Sequence, residues 1–157
     1  MAIPKKVINF LEKNKARYET VKHKTVYTAT DKAATLRAPE KIIGKTLMMK
    51  ANIYSVVLIP ANKNLDKNKF KKIAKVKKVD FVKENWMKKN LKGIKIGATP
   101  PFGKIWELAT FADSTLLKNP KIIINSGDYN WSIKITPANF KKLVPDLIIG
   151  NFGKGRK

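Results

Sequence analysis

Ile42-Ile43-Gly44-Lys45-Thr46-Leu47-Met48-Met49-Lys50 and Tyr54-Ser55-Val56-Val57-Leu58-Ile59-Pro60 are two β-rich runs with only Ala51-Asn52-Ile53 between them. So short a connection between two such runs predicts a hairpin. Outward toward the N-terminus, Ile3, Val7, Phe10 and Leu11 recur at helical spacing behind Pro4, which suits a first helical turn. The chain therefore opens on a short amphipathic helix. Residues 18–22 read as a strand, and Thr30-Asp31 as the cap of a short helix through Arg37.

On the other side of the hairpin, residues 66–76 carry Phe70, Ile73 and Ala74 on one face, a helix with lysines outside. A short strand over 78–81 and a helix over 82–91 containing Trp86 follow. Gly93, Gly97, Pro100, Pro101 and Gly103 then punctuate a loop that cannot stay regular. Residues 105–112 and 122–125 read as strands, and Gly127-Asp128-Tyr129-Asn130 turns the chain into a strand over 131–135. Thr136 caps a last helix through Val144, with Pro137 at its first position. Interspersed helices and strands without repeat or linker give an α+β (mixed α/β) class: one domain over 1–149, with one central mixed, largely antiparallel sheet surrounded by helices. Residues 150–157, glycine-rich and basic, are expected as a flexible tail.

Thirty-four basic residues against eleven acidic ones leave +23 on 157 residues, and all but Arg17, Arg37 and Arg156 of the basic ones are lysine. Such a field concentrates polyanions, so nucleic acid is the leading partner and an anionic membrane surface the second. Bidentate base reading prefers arginine, which disfavours sequence-specific duplex recognition. The 43% apolar fraction is that of a globular chain. No window approaches 18 consecutive apolar residues and no signal-peptide core follows Met1, so a cytoplasmic protein without a membrane partner is expected.

The lack of cysteine removes thiolate ligands and nucleophiles. His23 is the single histidine, and Ser55, Ser114, Ser126 and Ser132 lie in no G-x-S-x-G elbow, which argues against a serine triad. There is no H-E-x-x-H, and the carboxylates do not cluster at ligand spacing, so no metal or cofactor is expected. Gly44-Lys45-Thr46 mimics the end of a P-loop, but Pro39 stands where its first glycine belongs and a strand follows instead of a helix. There remain a lysine entering a strand and, some fifty residues on, a glycine-proline loop. Its backbone N–H groups are suited to an anion or a developing oxyanion.

Several motifs resemble, in order, the YbaK/ProX editing-domain family. They are Tyr18 to His23 followed by Thr28-Ala29; Lys45-Thr46-Leu47 behind Ile42-Ile43; Gly97 to Gly103; Asp113 ending an apolar strand; and Asn125-Ser126-Gly127 before Ser132-Ile133-Lys134-Ile135. The resemblance implies a deacylase that hydrolyses the ester of mischarged tRNA of the cysteinyl- or alanyl-tRNA(Pro) kind. It implies that Lys45 holds the terminal nucleotide and that Gly97, Ala98 and Thr99 present backbone amides to the ester carbonyl. Pro100, Pro101, Phe102 and Gly103 stiffen that loop. Asp113, Ser126 and Gly127 lie beside the pocket, Tyr27 and Thr28 line its amino-acid side, and His23 is structural. Ala98 replaces a glycine of some relatives, and no histidine follows the Ser126-Gly127 turn, which leaves the removed amino acid open.

Thirteen lysines against Asp66, Asp80 and Glu84 between Lys63 and Lys95 form a candidate tRNA face, represented by Lys63, Lys67, Lys71, Lys75, Lys88 and Lys92. The expected partner is the acceptor end of mischarged tRNA, with a synthetase as a further partner and the protein a monomer. A non-catalytic tRNA- or synthetase-binding module of the same fold is the alternative, and a general polyanion binder is a third reading.

Overall fold

A computed structural model describes residues 3–156. Helix α1 (Lys5–Lys13) buries Val7 and Leu11, and strand β1 (Glu19–Lys22) follows. Helix α2 (Ala29–Leu36) has its cap two residues before the expected Thr30. Thr28 is the extended residue there, and its hydroxyl accepts from Asp31 N–H at 3.0 Å, whereas Thr30 lies inside the first turn. The expected hairpin is present as β2 (Gly44–Lys50) and β3 (Tyr54–Pro60), antiparallel with Lys45 opposite Ile59 and Lys50 opposite Tyr54.

A short β4 (Lys63–Leu65) leads into α3 (Lys67–Ala74), which Asp66 caps by accepting from Asn68 N–H and Lys69 N–H. Then come β5 (Asp80–Phe81) and α4 (Glu84–Asn90). The strand expected over 105–112 is only β6 (Ala109–Asp113), because Gly103–Trp106 makes a 3₁₀ turn. Gly103 N–H donates to Thr110 Oγ1, and a Cβ at Gly103 would lie 2.5 Å from Leu108 O, so the chain folds back tightly there. Strands β7 (Ile122–Asn125) and β8 (Trp131–Ile135), helix α5 (Pro137–Leu143) and strands β9 (Ile148–Gly150) and β10 (Gly153–Gly155) complete the order.

The central sheet is mixed, in the order β5-β2-β3-β6-β9. Its β5-β2-β3 side is antiparallel, and β6 and β9 add in parallel. A second, antiparallel sheet runs β1-β8-β7 and joins the first through one parallel bridge, Ile43 with Ile123. Period-two alternation divides the central sheet's faces. Met48, Val56 and Leu58 enter the main core with α1, α5 and the second sheet. Met49, Val57 and Ile59 pack on the other side with Phe70 of α3. The α+β class and the mixed central sheet are as expected from the sequence. Among the described residues no helix is long and apolar enough to cross a membrane.

The C-terminal segment differs from its expectation as a flexible tail. Phe152 is fully buried against Phe70 at a centroid distance of 5.6 Å, and β10 pairs with β4 from Gly153–Leu65 to Gly155–Lys63. Asp113 ties this segment down. Its carboxylate accepts from Thr115 N–H at 2.8 Å, Thr115 Oγ1, Phe152 N–H at 3.1 Å and Gly153 N–H at 2.7 Å. Glycine richness reads as looseness, but here Gly153 is needed because a Cβ would lie 3.0 Å from Asp113 Oδ2. Phe152→Ala should lower the unfolding free energy by about 3 kcal/mol in urea denaturation, the usual cost of emptying a buried aromatic site.

Candidate functional site

Ile43 and Ile123 bridge in parallel, so the residues two further on, Lys45 and Asn125, leave neighbouring strands on the same face. Lys45 is half-buried at the head of β2, with Nζ 3.5 Å from Asn64 Oδ1. Burial pushes its ammonium below the usual lysine value, nearby Arg156 adds to that, and Glu40 partly opposes it. Arg156 is itself held: Nη1 donates to Ala61 O at 2.6 Å and to Thr30 Oγ1 at 3.1 Å, and Nη2 pairs with Glu40 at 3.0 Å. An open groove lined by Lys45, Asn64, Asp66, Lys67, Phe81 and Lys154 leads outward from Lys45. Two cations of the segment expected as a tail thus stand beside the lysine singled out from the sequence.

The Gly97 loop lies on the Asn125 side. Gly97 has φ +87°, a conformation that glycine adopts without strain. Its carbonyl accepts from Asn125 Nδ2 at 3.4 Å, and the N–H of the same peptide unit, that of Ala98, donates to Lys95 O at 3.0 Å. The peptide is clamped at both ends. Ala98 N–H is therefore not free for a ligand, whereas Gly97 N–H and Thr99 N–H on either side make no hydrogen bond among the described residues. Upstream, Tyr129 OH donates to Ile96 O. Downstream, Pro100, Pro101 and Gly103 are buried and the Phe102 ring anchors the loop between Phe10 and Phe140, at 5.2 and 6.2 Å. Phe102 is a core residue here, away from any pocket surface.

The other expected residues divide into two groups. Tyr27 is 65% exposed and rests edge-on against Tyr129 at 4.7 Å, and its carbonyl would lie 3.4 Å from a Cβ on Gly97, so it borders the loop. Thr28 follows it and caps α2. Ser126 is occupied within the β7–β8 turn, donating to Trp131 O and accepting from Asp128 N–H. Gly127 (φ +100°) packs that turn on Pro4 and Ile94. Asp113, with four hydrogen-bond donors on it, is occupied in holding the C-terminal segment. Burial alone would raise its pKa, but those hydrogen bonds outweigh it and hold the carboxyl below the usual range.

His23 Nδ1 donates to Lys24 O at 2.8 Å, so Nε2 accepts from Ser132 Oγ at 2.9 Å. This is a serine–histidine pair, but Ser132 is wholly buried in β8 and unreachable as a nucleophile. Burial, opposed by the Lys24 contact, lowers the imidazole's pKa further below neutrality, with Lys32 adding to the shift and Asp128 opposing it. Among the described residues no three His, Asp or Glu side chains gather as a metal site.

On the basic face, Lys67, Lys75, Lys88 and Lys92 are exposed, and Lys67 Nζ lies 5.0 Å from the centre of the exposed Phe81 ring. Lys71 is half-exposed on α3. Lys63 turns inward, donating to Thr115 Oγ1 at 3.2 Å.

The residue the sequence reading passed over is Lys32. It is 5% exposed, and Nζ donates to Asn125 Oδ1 at 2.7 Å. A signal was available: Ala29, Lys32, Ala33 and Leu36 stand at i, i+3, i+4 and i+7, so the lysine occupies the apolar stripe of α2. Burial pushes it down from 10.5 to about 8.

A family model described as the aminoacyl-tRNA editing domain matches residues 23–143. Solved structures with the same fold include the hypothetical protein APE2540, at 21% identity and a TM-score of 0.85, with 96% of this chain and 100% of that one covered. A candidate trans-editing enzyme for prolyl-tRNA synthetase matches at 19% identity and a TM-score of 0.84, over 98% and 100%. A candidate signal transduction protein from Marinobacter aquaeolei VT8 matches at 10% and 0.72, with 97% of this chain lying on 31% of that one. No curated protein matches the chain.

Because the Lys32 value is lower folded than unfolded, the unfolded chain binds more protons between about pH 8 and 10.5. Unfolding free energy should therefore rise with pH across that window. Urea titrations should show a gain of about 2 kcal/mol between about pH 7.5 and about pH 9.5 relative to Lys32→Met, which loses this term.

Proposed function

The chain belongs to the aminoacyl-tRNA editing domain family, and on that premise we propose that it is a deacylase that frees tRNA from a wrongly attached amino acid, of the cysteinyl- or alanyl-tRNA(Pro) kind. The observation that carries the reading is the clamped Gly97–Ala98 peptide with an unbonded N–H on either side, on the same face as Lys45. An aminoacyl ester is already activated. Its hydrolysis needs placement of water and stabilisation of the carbonyl oxygen more than a side-chain nucleophile.

Water adds to the ester carbonyl carbon, and the resulting negative charge on the carbonyl oxygen meets the N–H groups of Gly97 and Thr99. The terminal ribose hydroxyl adjacent to the ester orients the water. Collapse breaks the bond to the ribose oxygen, which takes up the proton, and releases the amino acid and free tRNA. Lys45, with Arg156 and Lys154 nearby, holds the terminal nucleotide. Tyr27 and Thr28 border the amino-acid side. The exposed lysines of α3 and α4 follow the acceptor-stem phosphates, where lysine serves as a point charge without base reading. A synthetase as a further partner fits the same reading.

Hydrolysis of a panel of mischarged tRNAs, led by cysteinyl- and alanyl-tRNA(Pro), tests this. The wild type should release amino acid, and Lys45→Ala should lose roughly 100-fold or more in kcat/KM with its melting temperature unchanged. Full activity in Lys45→Ala would remove that residue's role. Tight binding of charged tRNA with no release from any member would leave a non-catalytic binding module. The rate at subsaturating tRNA should fall at least tenfold from about 50 to about 200 mM salt, and about half as steeply on a logarithmic scale in a Lys67/Lys71/Lys75→Ala triple variant.

A further inference from the structure

Lys32 is a buried cation without a counter-ion: among the described residues the ion pairs join Lys121 to Glu19 and Arg156 to Glu40. Burying an ammonium this way costs stability, and an apolar side chain would complete the α2 stripe without that cost. Its one hydrogen bond goes to Asn125, whose other amide atom meets Gly97 O. A carboxamide has two faces of opposite character, and rotation by half a turn exchanges donor for acceptor. With an ammonium on one side, only one orientation is allowed: Oδ1 toward Lys32, and therefore Nδ2 toward the carbonyl of Gly97. The reversed amide would set oxygen against oxygen at the loop and nitrogen against ammonium at the helix.

We propose that Lys32 is a positioning residue for the Gly97 loop, its buried ammonium selecting the Asn125 orientation that clamps the Gly97–Ala98 peptide and thereby aims the N–H groups of Gly97 and Thr99. The catalytic consequence rests on the deacylase reading; the mechanical one does not. A charge-assisted donor holds the amide more firmly than a neutral one, and it polarises the amide so that Nδ2 becomes the stronger donor. The groups facing the cluster are His23 from the segment after β1, Asp128 and Tyr129 from the β7–β8 turn, and Asp31, exposed next to Lys32 on α2. His23 is pushed down, chiefly by burial, and Tyr129 up, also chiefly by burial, so neither changes charge between about pH 7 and 9 as Lys32 does.

Amide hydrogen exchange of Ala98, corrected for intrinsic exchange, and deacylation kinetics test this together in the wild type, Lys32→Met and Asn125→Asp. In Lys32→Met, Ala98 exchange should quicken about tenfold or more and kcat fall about tenfold or more. Its KM for tRNA should stay within about twofold and its melting temperature should not drop. Asn125→Asp, with an oxygen fixed toward Gly97, should lose at least as much kcat. Wild-type protection of Ala98 should itself decline as pH rises through about 8, an arm that decides the matter even if a variant fails to fold. Wild-type exchange and kcat in Lys32→Met, or protection that is flat across that range, would overturn the proposal. Faster exchange in a protein that hydrolyses no ester at all would leave the positioning role standing and sink the deacylase reading.

Discussion

Ile43 and Ile123 meet in one parallel bridge, which joins the backbones of two sheets that also share the main core. The approach is possible because the next residue after Ile43 is a glycine. A Cβ on Gly44 would lie 2.7 Å from Leu58 Cδ1 in the same sheet and 3.2 Å from Ile124 Cγ2 in the other, so a side chain there would crowd both. On the opposite face, Ile43 and Ile123 close a small cluster with Ala33 and Ala61, which seats α2 over the junction. Every polar group of the candidate site hangs from this arrangement. Lys45 leaves one strand and Asn125 the other, two residues past the bridge, and Lys32 reaches down from the helix that covers it. A change that shifted the bridge would move all three together.

The chain is strongly positive, yet it buries Lys32 and half-buries Lys45 among others. Burial pushes both Lys32 and Lys45 down, and at Lys45 the nearby Arg156 adds to it while Glu40 partly opposes it. Surface lysines are solvated and screened, and their excess bears on solubility and on the encounter with polyanions more than on folding. The buried ones work locally, through a single donated hydrogen bond apiece. The two uses of lysine are indistinguishable in composition and separate only by where the fold puts them.

That difference explains which features can be read from the sequence. The β2–β3 hairpin, α1, α3 and α5 arise from local rules: apolar period, a capping oxygen, a proline in a first turn. The Gly97 loop and Lys45 stand out because glycine, proline and a strand-head lysine carry their meaning locally too. Strands β4, β9 and β10 are three residues each, below the length at which alternation is visible, and they exist through partners far along the chain. Asp113 ends an apolar strand in the sequence, and nothing there says that its oxygens will be met by backbone from residues 152 and 153. Arg156 reads as the end of a tail because its acceptors, Ala61 O and Thr30 Oγ1, lie 95 and 126 residues away. Lys32 is legible in principle, as a charge on an apolar stripe, but its meaning depends on Asn125 and hence on the bridge.

On the deacylase reading, the substrate also supplies something the folded protein lacks. A polyanion lying across the lysine face favours the charged form of every nearby ammonium, since opposite charge stabilises it. Lys45 is a lysine whose charged form burial disfavours. At Lys45, which lines the open groove with Lys67 and Lys154, a bound phosphate favours the ammonium that holds it. By linkage, the protonated enzyme binds tRNA more tightly by the same factor.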